Sequence, residues 1–268
     1  MASRRRRPPA STQLPLSPSP HPAERLAWTG PFQPSLEARW LEALGRFRAR
    51  DPLRAVWLLV PSRFLGLHLV RLAAHTGGAV NVHVLTFTDL AERILGEGRR
   101  RLPPAGDLLV LRQALREAVP DDGYFAAVRE ARRFPPALAA TLAELRTAGV
   151  RPEDLEAAAA VAEPASGRKL RELAGIVRRA DATVAAAGFA HPTDLLWAAA
   201  ARAAEAPALA GPVGLGVYGF TEWNAVERAL LRAVTARLDT VCFVPAEPGP
   251  PFEPIEGLLA WLEAEGFR

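Results

Sequence analysis

The chain has 268 residues, 49% of them hydrophobic, which is enough to bury a sizeable core in one or two domains. Its single cysteine, Cys242, excludes a disulfide framework and any zinc or iron–sulfur site built from this chain's thiols alone. The formal charge of +4 sits at the beginning: residues 1–30 hold five basic and one acidic residue and the rest holds 28 of each, so a nucleic-acid-binding face must come from placement, not excess.

Residues 1–27, proline-rich with an arginine run at 4–7, read as a disordered basic tail. The tail has no apolar stretch of secretory-signal type, and no later segment reaches membrane-spanning length without a charge or proline. No membrane partner is expected, and a reducing cytoplasm fits. Residues 28–33 read as a Gly/Pro turn, after which Ser35 is expected to cap a helix bearing Leu36, Trp40, Leu41, Leu44 and Phe47 on one face. Asp51-Pro52 ends it. The unbroken apolar run 56–60 predicts a strand covered on both faces, as in a parallel sheet. The following helix carries Phe64, Leu65, Leu67, Leu69, Val70 and Leu72 and stops at Gly77-Gly78. Residues 81–87 read as the next strand, with Thr88 as cap of a helix through Leu90, Ala91, Ile94 and Leu95. Parallel strands need such crossover helices.

From 96 to 211 the pattern turns alanine- and arginine-rich and helical, broken at prolines and glycines. Tyr124, Phe125, Phe134, Phe189 and Trp197 read as core anchors of a helical bundle rather than a base-stacking platform. Beyond Gly211-Pro212, residues 213–220 and 240–244 predict two more strands around a helix with Val226, Ala229, Leu230 and Val234. A short helix at 255–262 follows. The expected fold is α/β: a parallel sheet of P-loop-NTPase type made by 28–97 and 211–268, with an all-helical domain, 98–210, inserted. Four strands would leave a sheet edge poorly covered, as in a fragment of something longer.

Three segments, VWLLVPSRFLGLHLVRLA, VNVHVLTFTDLAERIL and GVYGFTEWNAVERALLRAV, precede TVCFVPAEPG in an order that resembles the amino-terminal region of AddB-type subunits of bacterial helicase–nucleases. These are relatives of UvrD-like superfamily 1 helicases, and the resemblance covers residues 28–268. The first segment is similar to the family's second strand and helix, the second to its single-strand-contacting motif, the third to the Walker B region. The resemblance implies DNA and an AddA-type helicase subunit as partners. It also implies that the loops after the second and third strands face single-stranded DNA, where Ser62, Arg63, Thr86, Phe87 and Thr88 occupy the matching positions.

The departures concern catalysis. A P-loop of type GxxxxGK[ST] cradles phosphates with backbone N–H groups and a lysine, but the matching stretch, TGPFQPSLEARW, has no Gly-Lys pair. The chain's one lysine, Lys169, lies deep in the helical region, so no nucleotide and no other cofactor is expected. Tyr218 and Gly219 stand where a Walker B strand ends in an acidic pair, and Glu222, slightly further on, reads as a surface residue near a helix start. The PD-(D/E)XK nuclease grouping that the full-length family carries near its carboxyl end has no counterpart; Asp121-Asp122 and Glu153-Asp154 flank turns and read as caps. His68, His75, His83 and His191 form no metal-ligand spacing.

These features together point to a catalytically inactive, helicase-like module of a double-strand-break-processing helicase–nuclease subunit, binding single-stranded DNA weakly and a partner helicase. Two alternatives stay open. One is an ATP-dependent helicase or PD-(D/E)XK nuclease whose active site lies in a missing carboxyl-terminal region; the other is a helical protein-interaction module without a DNA role.

Overall fold

The structure is a computed structural model that describes residues 23–96, 98, 100–104, 106–247 and 255–268. The chain begins with β1 (Arg25–Gly30), an irregular turn (Phe32–Leu36) and α1 (Glu37–Arg50), then alternates β2 (Val56–Leu59), α2 (Arg63–Thr76), β3 (Val82–Leu85) and α3 (Phe87–Leu95). The helical part holds β4 (Arg100–Arg101), α4 (Gly106–Ala118), α5 (Phe134–Thr147), α6 (Pro152–Val161), α7 (Pro164–Ala186), β5 (Phe189–Ala190) and α8 (Pro192–Arg202). It closes with β6 (Gly214–Tyr218), α9 (Ala225–Thr235), β7 (Thr240–Pro245) and α10 (Ile255–Ala264).

The expected α/β fold is present: five strands form one parallel sheet in the order β1-β7-β6-β2-β3. Successive side chains of a strand point to opposite faces, so Val56 and Leu58 enter the layer under α1 and α2, whereas Trp57 and Leu59 enter the layer under α3, α8, α9 and α10. Both faces are covered. Helix α1 lies close on β6 because that strand has glycine beneath it: a Cβ at Gly216 would stand 2.6 Å from Trp40 Cζ3.

Four local expectations are corrected. Residues 25–30 are a strand rather than tail and turn; β1 pairs with β7 from Arg25 opposite Thr240 to Gly30 opposite Pro245, which covers the edge that four strands left open. Ser35 does not cap α1, which starts at Glu37 with Leu36 before it and no side-chain cap. Thr86, not Thr88, caps α3, in a reciprocal box with Asp89: Asp89 N donates to Thr86 Oγ1 at 3.3 Å and Thr86 N to Asp89 Oδ2 at 2.9 Å. Phe87 is therefore the first residue of a helix, not the last of a strand.

The helices between 98 and 210 divide. Leu111 and Leu115 of α4, Leu138 and Leu142 of α5, and Leu173 and Ile176 of α7 share one core, whereas Leu195, Leu196 and Ala199 of α8 belong to the core on the sheet. Residues 121–133 are turns rather than helix; the Glu172 carboxylate accepts from Tyr124 N at 2.5 Å and Phe125 N at 3.1 Å there. Strands β4 and β5 form a short parallel ladder within the same span.

His191, just before α8, ties the two groups of helices together. It is buried, with Nδ1 3.0 Å from Asp107 Oδ1 of α4 and Nε2 3.9 Å from Asp181 Oδ1 of α7. Burial first, and then the Arg146 charge, hold its imidazole below the ordinary range. The unfolded chain then binds the proton more readily, so this contribution to stability is intact above about pH 6.5 and is lost as pH falls from there through the lowered folded value. Asp194 has the opposite sign in a more acidic window, since burial pushes its carboxyl up. Urea titrations in steps between about pH 7.5 and 5.5 should show a loss on the order of 1 kcal/mol that His191→Gln abolishes. An identical slope in the variant would assign it to another group.

Candidate nucleic-acid interface

The loop after β2 leads to a helix on one face of the sheet and the loop after β6 to a helix on the other. Between these neighbouring strands, outside their carboxyl ends, a crevice must form, which is where open α/β sheets bind ligands. A cleft of about 630 Å³ lies there, lined by the end of β2, the start of α3 and the β6–α9 loop.

Of the residues singled out in the sequence, Thr86, Phe87, Thr88, Gly219 and Glu222 line this cleft. Thr86 and Thr88 are half-buried, and Phe87 is buried with its ring 5.3 Å from Phe220, edge to face. Gly219 turns the chain out of β6 at φ +83°, a left-handed conformation that glycine adopts without strain. Ser62 and Arg63 stand beside the cleft without lining it. Ser62 caps α2, its hydroxyl accepting from Leu65 N at 3.4 Å, and the exposed Arg63 guanidinium lies 2.6 Å from Asp89 Oδ1. Against the cost of burial, the Thr86 backbone N–H and Arg63 hold the Asp89 carboxyl below its usual range.

Tyr218 is not in the cleft. As the last residue of β6 it points into the layer under α1 and α2, fully buried between Phe32 and Phe243 with centroids at 6.1 and 5.5 Å. Its hydroxyl donates to Phe32 O at 3.3 Å, and burial, with the Glu37 charge, pushes its pKa up. Phe32 belongs to the turn after β1, the place the resemblance gives to a phosphate loop, and its ring fills the space above Tyr218.

Seven further cleft residues were not singled out from the sequence, among them Phe220, Trp223, Asn224 and Glu227. Asn224 and Glu227 form a capping box on α9, with Glu227 N donating to Asn224 Oδ1 and Asn224 N to Glu227 Oε2, both at 3.0 Å. The Asn-x-x-Glu spacing in TEWNAVE was the available signal. Burial, with Glu222 nearby, raises the Glu227 carboxyl even though the Asn224 N–H bond lowers it. Trp223 is buried, and its Nε1 has no hydrogen-bond partner among the described residues. The lining thus has two carboxylates and neither lysine nor arginine. Chemically it offers hydroxyls, carboxylate acceptors and aromatic walls, groups suited to base faces and amino edges rather than to phosphates. Among the described residues, no three of His, Cys, Asp and Glu stand close enough to hold a metal ion, and no helix is long and apolar enough to cross a membrane.

Residues 44–244 match the family described as ADDB, N-terminal. The B-type subunit of an ATP-dependent helicase/deoxyribonuclease from Moorella thermoacetica is 31% identical over 179 residues, covering 63% of this chain and 15% of the relative. The chain therefore spans only a small part of that protein's length. The family match takes in β2, β3, β6 and nearly all of β7, together with the cleft and the whole helical region, and on it the chain belongs to the AddB amino-terminal family.

Proposed function

We propose that this chain is the catalytically inactive, helicase-like module of an AddB-type helicase–nuclease subunit, working in the cytoplasm, where it holds single-stranded DNA weakly and an AddA-type helicase partner. The observation that carries this reading is the crevice at the β2/β6 switch, floored by Phe87 and Phe220, in a chain whose relative is named as part of a helicase/deoxyribonuclease. The turn after β1 supports the absence of ATP turnover: Phe32 and Tyr218 pack together there, and neither a lysine nor an acidic strand end faces it. DNA is held through its bases. The cleft has no cation of its own and Arg63 is engaged by Asp89, so few phosphates are neutralised and the salt dependence is shallow.

The test uses fluorescence anisotropy with a labelled oligothymidylate, on the full chain and on a form lacking residues 1–22, which keeps β1 and its pairing with β7 intact. Both should bind with Kd on the order of micromolar or weaker and a logarithmic salt slope of about one. Binding that disappears with the tail would assign all of it to the arginines at 4–7. ATP hydrolysis stimulated by single strands, above a mock preparation, would overturn the inactive reading.

A further inference from the structure

A second hollow, of about 970 Å³, lies where the α5–α6 turn, α7, α8 and α9 meet. Its size is at the upper end of the range for small-molecule sites. Two of its walls are aromatic, Trp197 and Phe189. Trp197 is fixed in place by its indole N–H, which donates to Arg146 O at 3.0 Å, so its ring is presented without freedom to collapse into the space.

Most charges around this hollow are already engaged. Arg146 holds Asp181 at 2.5 Å, Arg232 holds Glu265 at 2.5 Å, and Arg178 pairs with Glu156. Among the described residues, the Arg151 guanidinium and the Asp194 carboxyl make no hydrogen bond or ion pair. His191 is 7% exposed, and its Nε2 has no hydrogen-bond partner among the described residues. An unspent cation and an unspent carboxyl therefore border a space with aromatic walls, with the buried His191 in the same lining. Arg151 also stands immediately before α6, whose first turn already carries Glu153 and Asp154, with Asp154 Oδ2 accepting from Arg151 N at 2.7 Å, so an anion here would be held by the Arg151 guanidinium rather than by the helix end.

We propose that this hollow binds a nucleoside monophosphate unit, with its phosphate on Arg151 at the amino end of α6, its base against Trp197, and the base's polar edge on Asp194 backed by His191. The chemistry of the groups selects this class. An apolar ligand would bury Arg151 and Asp194 without partners, and inorganic phosphate would leave the aromatic walls uncovered. A free mononucleotide and the terminal nucleotide of a DNA strand present the same unit. The site is separate from the strand-end cleft, so it does not depend on the reading of that cleft.

The test is calorimetric titration of the full chain with AMP, GMP, CMP and dTMP, with inorganic phosphate and the matching nucleosides as partial ligands. A 5′-phosphorylated tetranucleotide represents the strand end. At least one monophosphate, or the tetranucleotide, should bind with Kd of about 1 mM or tighter, and about tenfold or more better than phosphate or nucleoside. Binding of the tetranucleotide alone would identify the strand end as the source. Arg151→Ala should weaken binding about tenfold, Arg151→Lys should recover part of it, and Asp194→Asn should weaken it about threefold or more. Leu53→Ala, at an exposed residue that lines neither hollow, should bind as the parent does. The proposal is overturned if neither monophosphates nor the tetranucleotide bind, if phosphate alone binds equally well, or if Arg151→Ala or Asp194→Asn, with unchanged circular dichroism, keeps the parent's affinity.

Discussion

Alanine in place of Trp40 is expected to lower the unfolding free energy by about 3–5 kcal/mol, read from urea titration as a fall in midpoint at unchanged slope. Trp40 is fully buried between α1 and the sheet, edge to face with Phe243 at 6.1 Å, and directly over Gly216. Its removal leaves a void that β6 cannot fill, because the residue facing it has no side chain. One term works the other way: Trp40 Nε1 has no hydrogen-bond partner among the described residues, so its loss recovers a desolvation penalty of about 1–3 kcal/mol and holds the result toward the lower end. A cycle isolates the contact. Gly216→Ala alone places a Cβ 2.6 Å from the indole and strains the layer, whereas combined with Trp40→Phe the same methyl gains room. The double variant should be more stable than the sum of the singles by about 0.5–3 kcal/mol. A Trp40→Ala protein within about 1 kcal/mol of the parent would mean that α1 does not sit on β6 as described.

How much of this was legible in the sequence depended on whether a residue's role is local. Strand β2 was legible because an unbroken apolar run has one economical fate, burial on both faces of a parallel sheet. Strand β1 was not: RLAWTG carries an arginine and leads into Gly-Pro, and as an edge strand it leaves Trp28 and Thr29 exposed, so neither alternation nor continuous apolarity announces it. Its pairing with β7 joins residues more than 200 apart and is settled by long-range register alone. The boundary at α3 was misplaced by two residues because Thr86 and Thr88 are equally good caps by type. Asp89 decides between them, being three residues after Thr86.

The candidate site was half legible for the same reason. Tyr218 and Gly219 are neighbours in sequence and were grouped together, but Tyr218 ends β6 inside the core, where its ring plugs the turn after β1, whereas Gly219 turns the chain out of the strand at φ +83° and lines the cleft. Phe220 and Trp223 came into view only through packing, since Phe220 meets Phe87 across the sheet from a distant part of the chain and stacks on to Trp223 at 6.0 Å. Helix α8 was assigned to the bundle because an alanine-rich helix presents similar faces all round. Leu195 and Leu196, with Ala199 between the same layers, commit it to the sheet.

Phe87 separates the proposed DNA role from a purely structural one, and leucine is the substitution that does so. Phe87 is 6% exposed at the start of α3, where one side of its ring supports Phe220 and another forms part of the cleft wall. Alanine would confound the two roles, because truncating a buried phenylalanine costs about 3–5 kcal/mol and would deform the cleft. Leucine keeps most of the volume, and its stability cost should stay below about 1.5 kcal/mol. It does remove the π-face. Stacking of a base on an aromatic ring is worth about 1–3 kcal/mol, so if DNA lies on Phe87, the Phe87→Leu protein should bind oligothymidylate about ten- to a hundredfold more weakly. The salt slope should not change, because no phosphate contact is lost. An affinity within about twofold of the parent, in a variant that unfolds at nearly the same urea concentration, would place the bases elsewhere and leave the ring with packing alone.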